Sequence, residues 1–359
     1  KTAYEIKECD WSSDVCTSDL PLLRQLWGVT SGEPDLVPLA VSLSFNAGRA
    51  IGLFRGLDQR LVIVAADANT GAVRKHEYGC ATARTAHRSV ALENWGSARR
   101  PLPIWRYRSN GNRGAIVYLH GGPGGSAQFA RLPPSIDRYL SGGFDVYVVE
   151  YSGGTGGGLD LTRRLHENPT TALDADARQI AQALKRLRGS YNLVGLHAES
   201  FGGALMLAEP LARSRDLDFV IAVAPWAMYR PPEDRTFVPL SAAQAQYQRK
   251  TDAAFLGDGR SLPGRGLAEW LERRRLRWAP DIPVLMIFAA GDDVSKPEDF
   301  PAFRQRTHLG EIVVLPNVTH DGSLEHPASI SAVSAFLKAR QLAVDVRPPR
   351  LRPRLWPLH

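Results

Sequence analysis

Three separated segments of the 359-residue chain carry the residue types that acyl-transfer chemistry needs. Ser200 stands in His197-Ala198-Glu199-Ser200-Phe201-Gly202-Gly203, after the apolar run 193–196 and before the helix-forming run 204–209. A strand, a sharp bend and a helix in that order place a serine hydroxyl at the apex of a strained turn, near the positive end of the helix dipole. Gly202 and Gly203 suit a helix that must pass close to the sheet, where a side chain would collide. Ala198 replaces the first glycine of the usual GxSxG and is still small. Upstream, His120-Gly121-Gly122-Pro123-Gly124-Gly125-Ser126 follows the apolar run 115–119. Such a turn exposes backbone N–H groups, and those of Gly122 and Phe201 are the expected donors to an oxyanion. No lysine with Ser or Thr closes the loop and no GxGxxG is present, which argues against a phosphate cradle.

Acid and base are expected after Ser200, each just past a strand. The run 283–288 leads into Ala289-Ala290-Gly291-Asp292-Asp293, and 312–315 leads into Pro316-Asn317-Val318-Thr319-His320. His320 would take the serine proton, and an aspartate would orient the imidazole. Asp292 lies nearer the strand end than Asp293 and is preferred over it. His326 is the rival histidine, six residues further on and beside Pro327. His120 and His197 flank the two key turns and are read as packing or hydrogen-bonding residues. No cluster has metal-ligand spacing, so no metal is expected, and this chemistry needs no cofactor.

These residues require strands that deliver them to one edge of a sheet. Near-continuous apolar runs at 104–108, 115–119, 144–150, 192–196, 219–224, 283–289 and 311–315 predict strands covered on both faces. A helix is predicted over 171–188, where Leu173, Ala177, Ile180, Ala181, Leu184 and Leu187 recur at helical spacing, with Gly189 as its stop. The alternation implies a doubly wound α/β sheet with the site at the carboxyl ends of its strands. Residues 36–110 read as β structure with turn signals at Asn69-Thr70-Gly71 and Asn110-Gly111. Within it, 41–78 resembles one blade of a β-propeller, a unit that normally stacks on others.

Composition is that of an ordinary globular protein, 44% hydrophobic and 23% charged, with mean hydropathy −0.22. No apolar run is long enough to span a membrane. The formal charge of +7 comes with arginines grouped at 273–277 and in the Pro/Arg-rich tail 343–359. Without an aromatic-basic module, that charge argues against nucleic acid as a partner. Residues 1–20 resemble the translation of a sequencing adapter and are set aside from the fold, together with Cys9 and Cys16. Cys80 then remains as the only cysteine, which fits a cytoplasmic, reducing compartment. The expected layout is a β-rich segment over 21–95 and a catalytic domain over 96–342. The sequence carries no signal of oligomeric state.

With these residues assembled, the stretch 41–342 resembles the C-terminal part of the prolyl oligopeptidase family of serine peptidases. The resemblance is carried by His120-Gly121-Gly122-Pro123-Gly124-Gly125, by Glu150-Tyr151-Ser152-Gly153-Gly154 and by Glu199-Ser200-Phe201-Gly202-Gly203. It implies an α/β-hydrolase fold and hydrolysis of short peptides through an acyl-enzyme on Ser200. The family usually has arginine where Ser152 stands, and a complete propeller where this chain has one blade. Prolyl iminopeptidases are similar through the same HGGPGG and Asn168-Pro169-Thr170-Thr171. They carry a helical cap, which would fall at 226–280 here, with Trp226, Tyr229, Phe237, Tyr247, Phe255, Trp270 and Trp278 as candidate lining or core. The expected substrate is a small peptide or ester. A carboxylesterase and a catalytically silent scaffold are the alternatives.

Overall fold

The computed structural model describes residues 36–44, 49–56, 61–67, 70–78, 90–97, 99–111, 113–125, 133–154, 159–228, 262–278, 280–292, 294–304 and 310–344. Both tails, Cys80, Asp293 and most of the expected cap (229–261) lie outside the described residues.

The first four strands, β1 (Leu36–Ser44), β2 (Arg49–Gly56), β3 (Leu61–Asp67) and β4 (Ala72–Tyr78), form an antiparallel meander in the order β1-β2-β3-β4. In β3 the residues alternate, with Val62, Val64 and Ala66 buried and Ile63, Ala65 and Asp67 half-buried. One face of β3 is therefore its buried one.

The remaining strands build a second sheet of eight. β5 (Val90–Asn94) and β6 (Pro103–Tyr107) form an antiparallel edge, so β5 joins this sheet and not the meander that precedes it. β7 (Gly114–Leu119), β8 (Phe144–Val149), β9 (Val194–Glu199), β10 (Phe219–Val223), β11 (Val284–Ala289) and β12 (Gly310–Leu315) run parallel. The order is β12-β11-β10-β9-β7-β8-β6-β5. Every residue of β7 to β11 is buried, as expected of strands covered on both faces. On one face Val117, Leu196, Ala222 and Met286 meet Ile180 and Leu184 of a long helix. On the other, Ile116, Val148, Ile221 and Ile287 meet Ile136 and Tyr139, then Val333 and Phe336. Those partners come from α1 (Pro134–Ser141), α3 (Pro169–Ser190) and α9 (Pro327–Val344). α2 (Leu159–Glu167), α4 (Gly202–Met206), α5 (Glu209–Ala212), α6 (Leu262–Arg275), α7 (Pro301–Arg304) and α8 (His320–Leu324) complete the described helices.

Two boundaries differ from those the sequence predicts. α3 begins at Pro169 because Asn168 caps it, its side chain accepting the Thr171 N–H at 3.1 Å, and Pro169 supplies a preset φ. It also passes through Gly189, which lies in the last turn with open space around it. β9 runs to Glu199 and not to 196, because His197 and Glu199 are buried there with partners of their own.

Candidate active site

The end of β9 and the start of α4 form the turn that carries Ser200. Ser200 has φ +45°, a left-handed conformation that an L-residue holds only under tertiary constraint. Its N–H donates to the Val223 carbonyl at 3.1 Å, and its carbonyl accepts from Gly203 N–H at 2.8 Å and Trp226 N–H at 2.7 Å. The following helix has no room for side chains at its start. A Cβ on Gly202 would lie 2.4 Å from the Leu119 carbonyl oxygen, and one on Gly203 would lie 2.7 Å from Trp226 N. Both glycines are thus fixed by contact, as the sequence spacing implies.

The Ser200 hydroxyl and His320 Nε2 are 2.7 Å apart, and His320 Nδ1 donates to Asp292 Oδ2 at 2.7 Å. Asp292, which follows β11, is almost wholly buried. Its other oxygen accepts the N–H groups of Val294 (2.7 Å) and Ser295 (3.0 Å), so the carboxylate is held from both sides. His320 opens α8, and the Gly291 N–H donates to the Val318 carbonyl at 3.0 Å, tying the loop of the acid to the loop of the histidine. His326 sits elsewhere, its Nδ1 accepting the Ala328 N–H at the start of α9. The structure therefore brings together Ser200, His320 and Asp292, and leaves His326 out.

The glycine turn after β7 lies against the elbow. A Cβ on Gly121 would be 3.4 Å from Ser200 Cβ, and one on Gly122 would be 3.9 Å from the Phe201 ring. Among the described residues, no hydrogen bond is donated by Gly122 N–H or Phe201 N–H.

A second layer of contacts, not predicted from sequence, holds that turn. His120 Nδ1–H donates to the Gly121 carbonyl at 2.6 Å, and its Nε2 lies 3.7 Å from Glu150 Oε1. Tyr151 donates its hydroxyl to the His120 carbonyl at 2.5 Å, and its ring stacks on His120 and on Phe201. Burial, with Glu150 and Glu199 nearby, pushes the Tyr151 hydroxyl well above the usual tyrosine range, so it remains a donor. Gly124 N–H donates to the Gly153 carbonyl at 2.9 Å, which joins the turn to the segment after β8. That segment is anchored in turn by Asp176 of α3, which is fully buried and accepts Ser152 N–H at 2.7 Å and Arg100 Nη2 at 2.9 Å. Arg100 Nη2 also lies 3.5 Å from Ser152 Oγ. A guanidinium thus reaches the place where the resemblance leads one to expect an arginine, from another strand connection. The sign of this second layer in sequence is a charged residue at a strand end, here Glu150, whose neighbour His120 lies far away along the chain.

Of the aromatics in the expected cap, Trp226, Trp270 and Trp278 are core residues. Among the described residues, no group of three or more His, Cys, Asp or Glu side chains could hold a metal ion, and no helix is long and apolar enough to cross a membrane.

Fold and site geometry together define an α/β hydrolase. Residues 116–333 match the alpha/beta hydrolase family, and the chain belongs to it. No curated protein matches the chain by sequence. Among solved structures, the chain resembles a puromycin-hydrolyzing peptidase of Mycobacterium tuberculosis, with TM-score 0.59 and 20% identity over 82% of this chain and 46% of that one. It resembles a prolyl endopeptidase with TM-score 0.60 and 17% identity, over 86% and 46% of the two chains. Acylaminoacyl peptidase of Pyrococcus horikoshii gives TM-score 0.57 and 14% identity, over 86% and 50%. The chain spans about half the length of these structures, and at such identities the likeness is one of fold. That fold is the one the glycine-rich and serine motifs imply.

Proposed function

We propose that this chain is a serine hydrolase that cleaves short peptides through an acyl-enzyme on Ser200, with His320 as base and Asp292 as its orienting acid. The observation that carries the reading is the unbroken chain of two 2.7 Å hydrogen bonds from Ser200 Oγ through the imidazole to Asp292. In the first half-reaction Ser200 Oγ attacks the carbonyl carbon while His320 Nε2 takes its proton. The oxygen gains charge between the N–H groups of Gly122 and Phe201. Collapse breaks the C–N bond, and the imidazolium returns its proton to the leaving amine. Water then repeats the sequence on the ester, with His320 again as base, and frees Ser200. Fold likeness to three peptidases supports amides as the substrate class.

The test is labelling by a fluorophosphonate probe, with Ser200→Ala and His320→Ala as controls, followed by turnover of aminoacyl arylamides and aryl esters. Labelling that both variants abolish, with arylamide turnover, is the expected result. Turnover of esters alone would replace the peptidase by a carboxylesterase. A folded protein that does not label would be a silent scaffold.

A further inference from the structure

The stretch that follows the acid holds a buried serine to which the mechanism above gives no part. Ser295 is fully buried, three residues beyond Asp292. Its N–H donates to Asp292 Oδ1 at 3.0 Å, and its hydroxyl donates to the Pro225 carbonyl at 2.6 Å. Pro225 is also buried and stands two residues past the end of β10. The next residue, Trp226, donates its N–H to the Ser200 carbonyl at 2.7 Å. These bonds close a ring. Ser200 Oγ meets His320, His320 meets Asp292, and Asp292 meets Ser295. Ser295 then meets Pro225, and Trp226 returns the ring to the backbone of Ser200.

The ring has one rigid member between acid and nucleophile. Ser200 follows β9 and Asp292 follows β11, and β10 lies between those strands. The Pro225 carbonyl and the Trp226 N–H share one planar peptide unit, so they point in opposite directions. On one side that plate accepts from the acid loop, and on the other it donates to the turn of the nucleophile. Ala224, just before the plate, has φ +45°, a left-handed conformation that persists only where its surroundings over-determine it. Its N–H donates to the Ile287 carbonyl of β11 at 2.7 Å. Gly203 lets the helix after Ser200 lie directly on the plate, since a Cβ there would be 2.8 Å from Pro225 Cα. Backbone bonds therefore fix the plate to the nucleophile, and a side-chain hydroxyl fixes it to the acid. The N–H groups of Ala290, Gly291 and Asp292 donate to the carbonyls of Leu315, Val318 and Ala289. Those three bonds tie the acid to β11 and to the histidine loop, and none of them reaches the nucleophile.

We infer that Ser295 is a positioning residue that holds Asp292 at a set spacing from Ser200. The imidazole between them is rigid, with its two nitrogens a fixed distance apart. It bonds serine and acid together only when those two are held at a matching spacing. Ser295 sets that spacing by acting through Asp292 on one side and Pro225 on the other. Its full burial leaves no surface for a substrate, so its loss disturbs the proton transfer and not the binding.

The inference rests on the serine hydrolase reading but is tested apart from it. Ser295→Ala removes one side-chain atom and keeps the N–H that Asp292 accepts. Turnover of an aminoacyl arylamide by this variant is expected to show kcat lowered on the order of tenfold, with KM changed less than about twofold. A second readout needs no substrate. The low-field proton resonance of His320 Nδ1–H, identified by its loss in His320→Ala, is expected to broaden and move upfield in Ser295→Ala as the carboxylate slackens on it. Ser295→Cys keeps a weaker donor in the same place and is expected to fall between parent and Ala in both readouts. It decides alone if the Ala variant does not fold. An unchanged kcat or an unchanged resonance overturns the tether, and so does a rise in KM at constant kcat. If fluorophosphonate labels the parent while Ser295→Ala matches it in both readouts, the tether fails and the hydrolase stands. If the parent neither labels nor turns over while its resonance depends on Ser295, the hydrolase fails and the tether stands.

Discussion

The two sheets of this chain solve different problems. In the eight-stranded sheet, β7 to β11 are buried at every position and helices cover both faces, so each strand end is fixed from two sides. In the four-stranded meander, β3 buries only alternate residues, Val62, Val64 and Ala66, the described positions of β4 are exposed or half-buried, and Ile51 on β2 is half exposed. Only the first arrangement can hold a left-handed serine, two glycines in backbone contact and a buried aspartate within hydrogen-bond reach of one histidine. Burial from both faces removes the freedom that strained geometry would otherwise use to relax.

The largest effect that tests this contrast is chemical. Ser200→Ala is expected to lower kcat/KM by on the order of 10³-fold or more while leaving the thermal melt unchanged, because the hydroxyl projects from a turn that backbone bonds hold. A melt that shifts by many degrees would show the hydroxyl to be structural. Next comes the double-faced core itself. Phe288 of β11 is fully buried and meets Phe300 at 6.0 Å, so Phe288→Ala is expected to cost about 3–5 kcal/mol in urea unfolding. Asp176→Ala leaves Arg100 without its carboxylate and frees Ser152 N–H. Because Arg100 is partly exposed, the loss is expected at about 3 kcal/mol, the lower end for a broken buried pair. That variant should also lose activity beyond its loss of stability, since Gly153, next to Ser152, accepts from Gly124 in the turn beside the elbow. Unchanged turnover in the folded fraction would separate the anchor from the site.

What the sequence makes legible follows the same division between local and distant causes. The elbow, the glycine turn and the order of serine, acid and histidine are local patterns, since strand, bend and helix are written in adjacent residues. The edge of α3 was harder, because Asn168 and Pro169 act before the apolar periodicity begins and Gly189 tolerates the last turn. β9 looks shorter in sequence than it is, since His197 and Glu199 interrupt the apolar run. Their partners Tyr118 and Tyr139 lie 81 and 58 residues away from Glu199 and His197 respectively, and no periodicity reports such pairs. β5 is short, with Leu92 largely exposed at the sheet edge, so neither alternation nor a continuous apolar run marks it. The approach of Glu150 to His120, 3.7 Å apart, is hidden for the same reason as the contacts of Glu199.

The smallest expected effects lie in the meander, and they sharpen the comparison most directly. Val64 is fully buried on β3, and Val64→Ala removes two methyl groups, a loss of about 1–2 kcal/mol. Ile51 stands opposite Ser42 on one side and Ala65 on the other, on the half-exposed face. Threonine keeps its β-branch, so Ile51→Thr is expected to stay within about 0.5 kcal/mol of the parent. The measured quantity is the difference between the two variants in the same urea titration, about 1 kcal/mol if one face alone carries the burial. Equal losses would mean that both faces of the meander are covered, and the contrast with the eight-stranded sheet would then be one of size and not of kind.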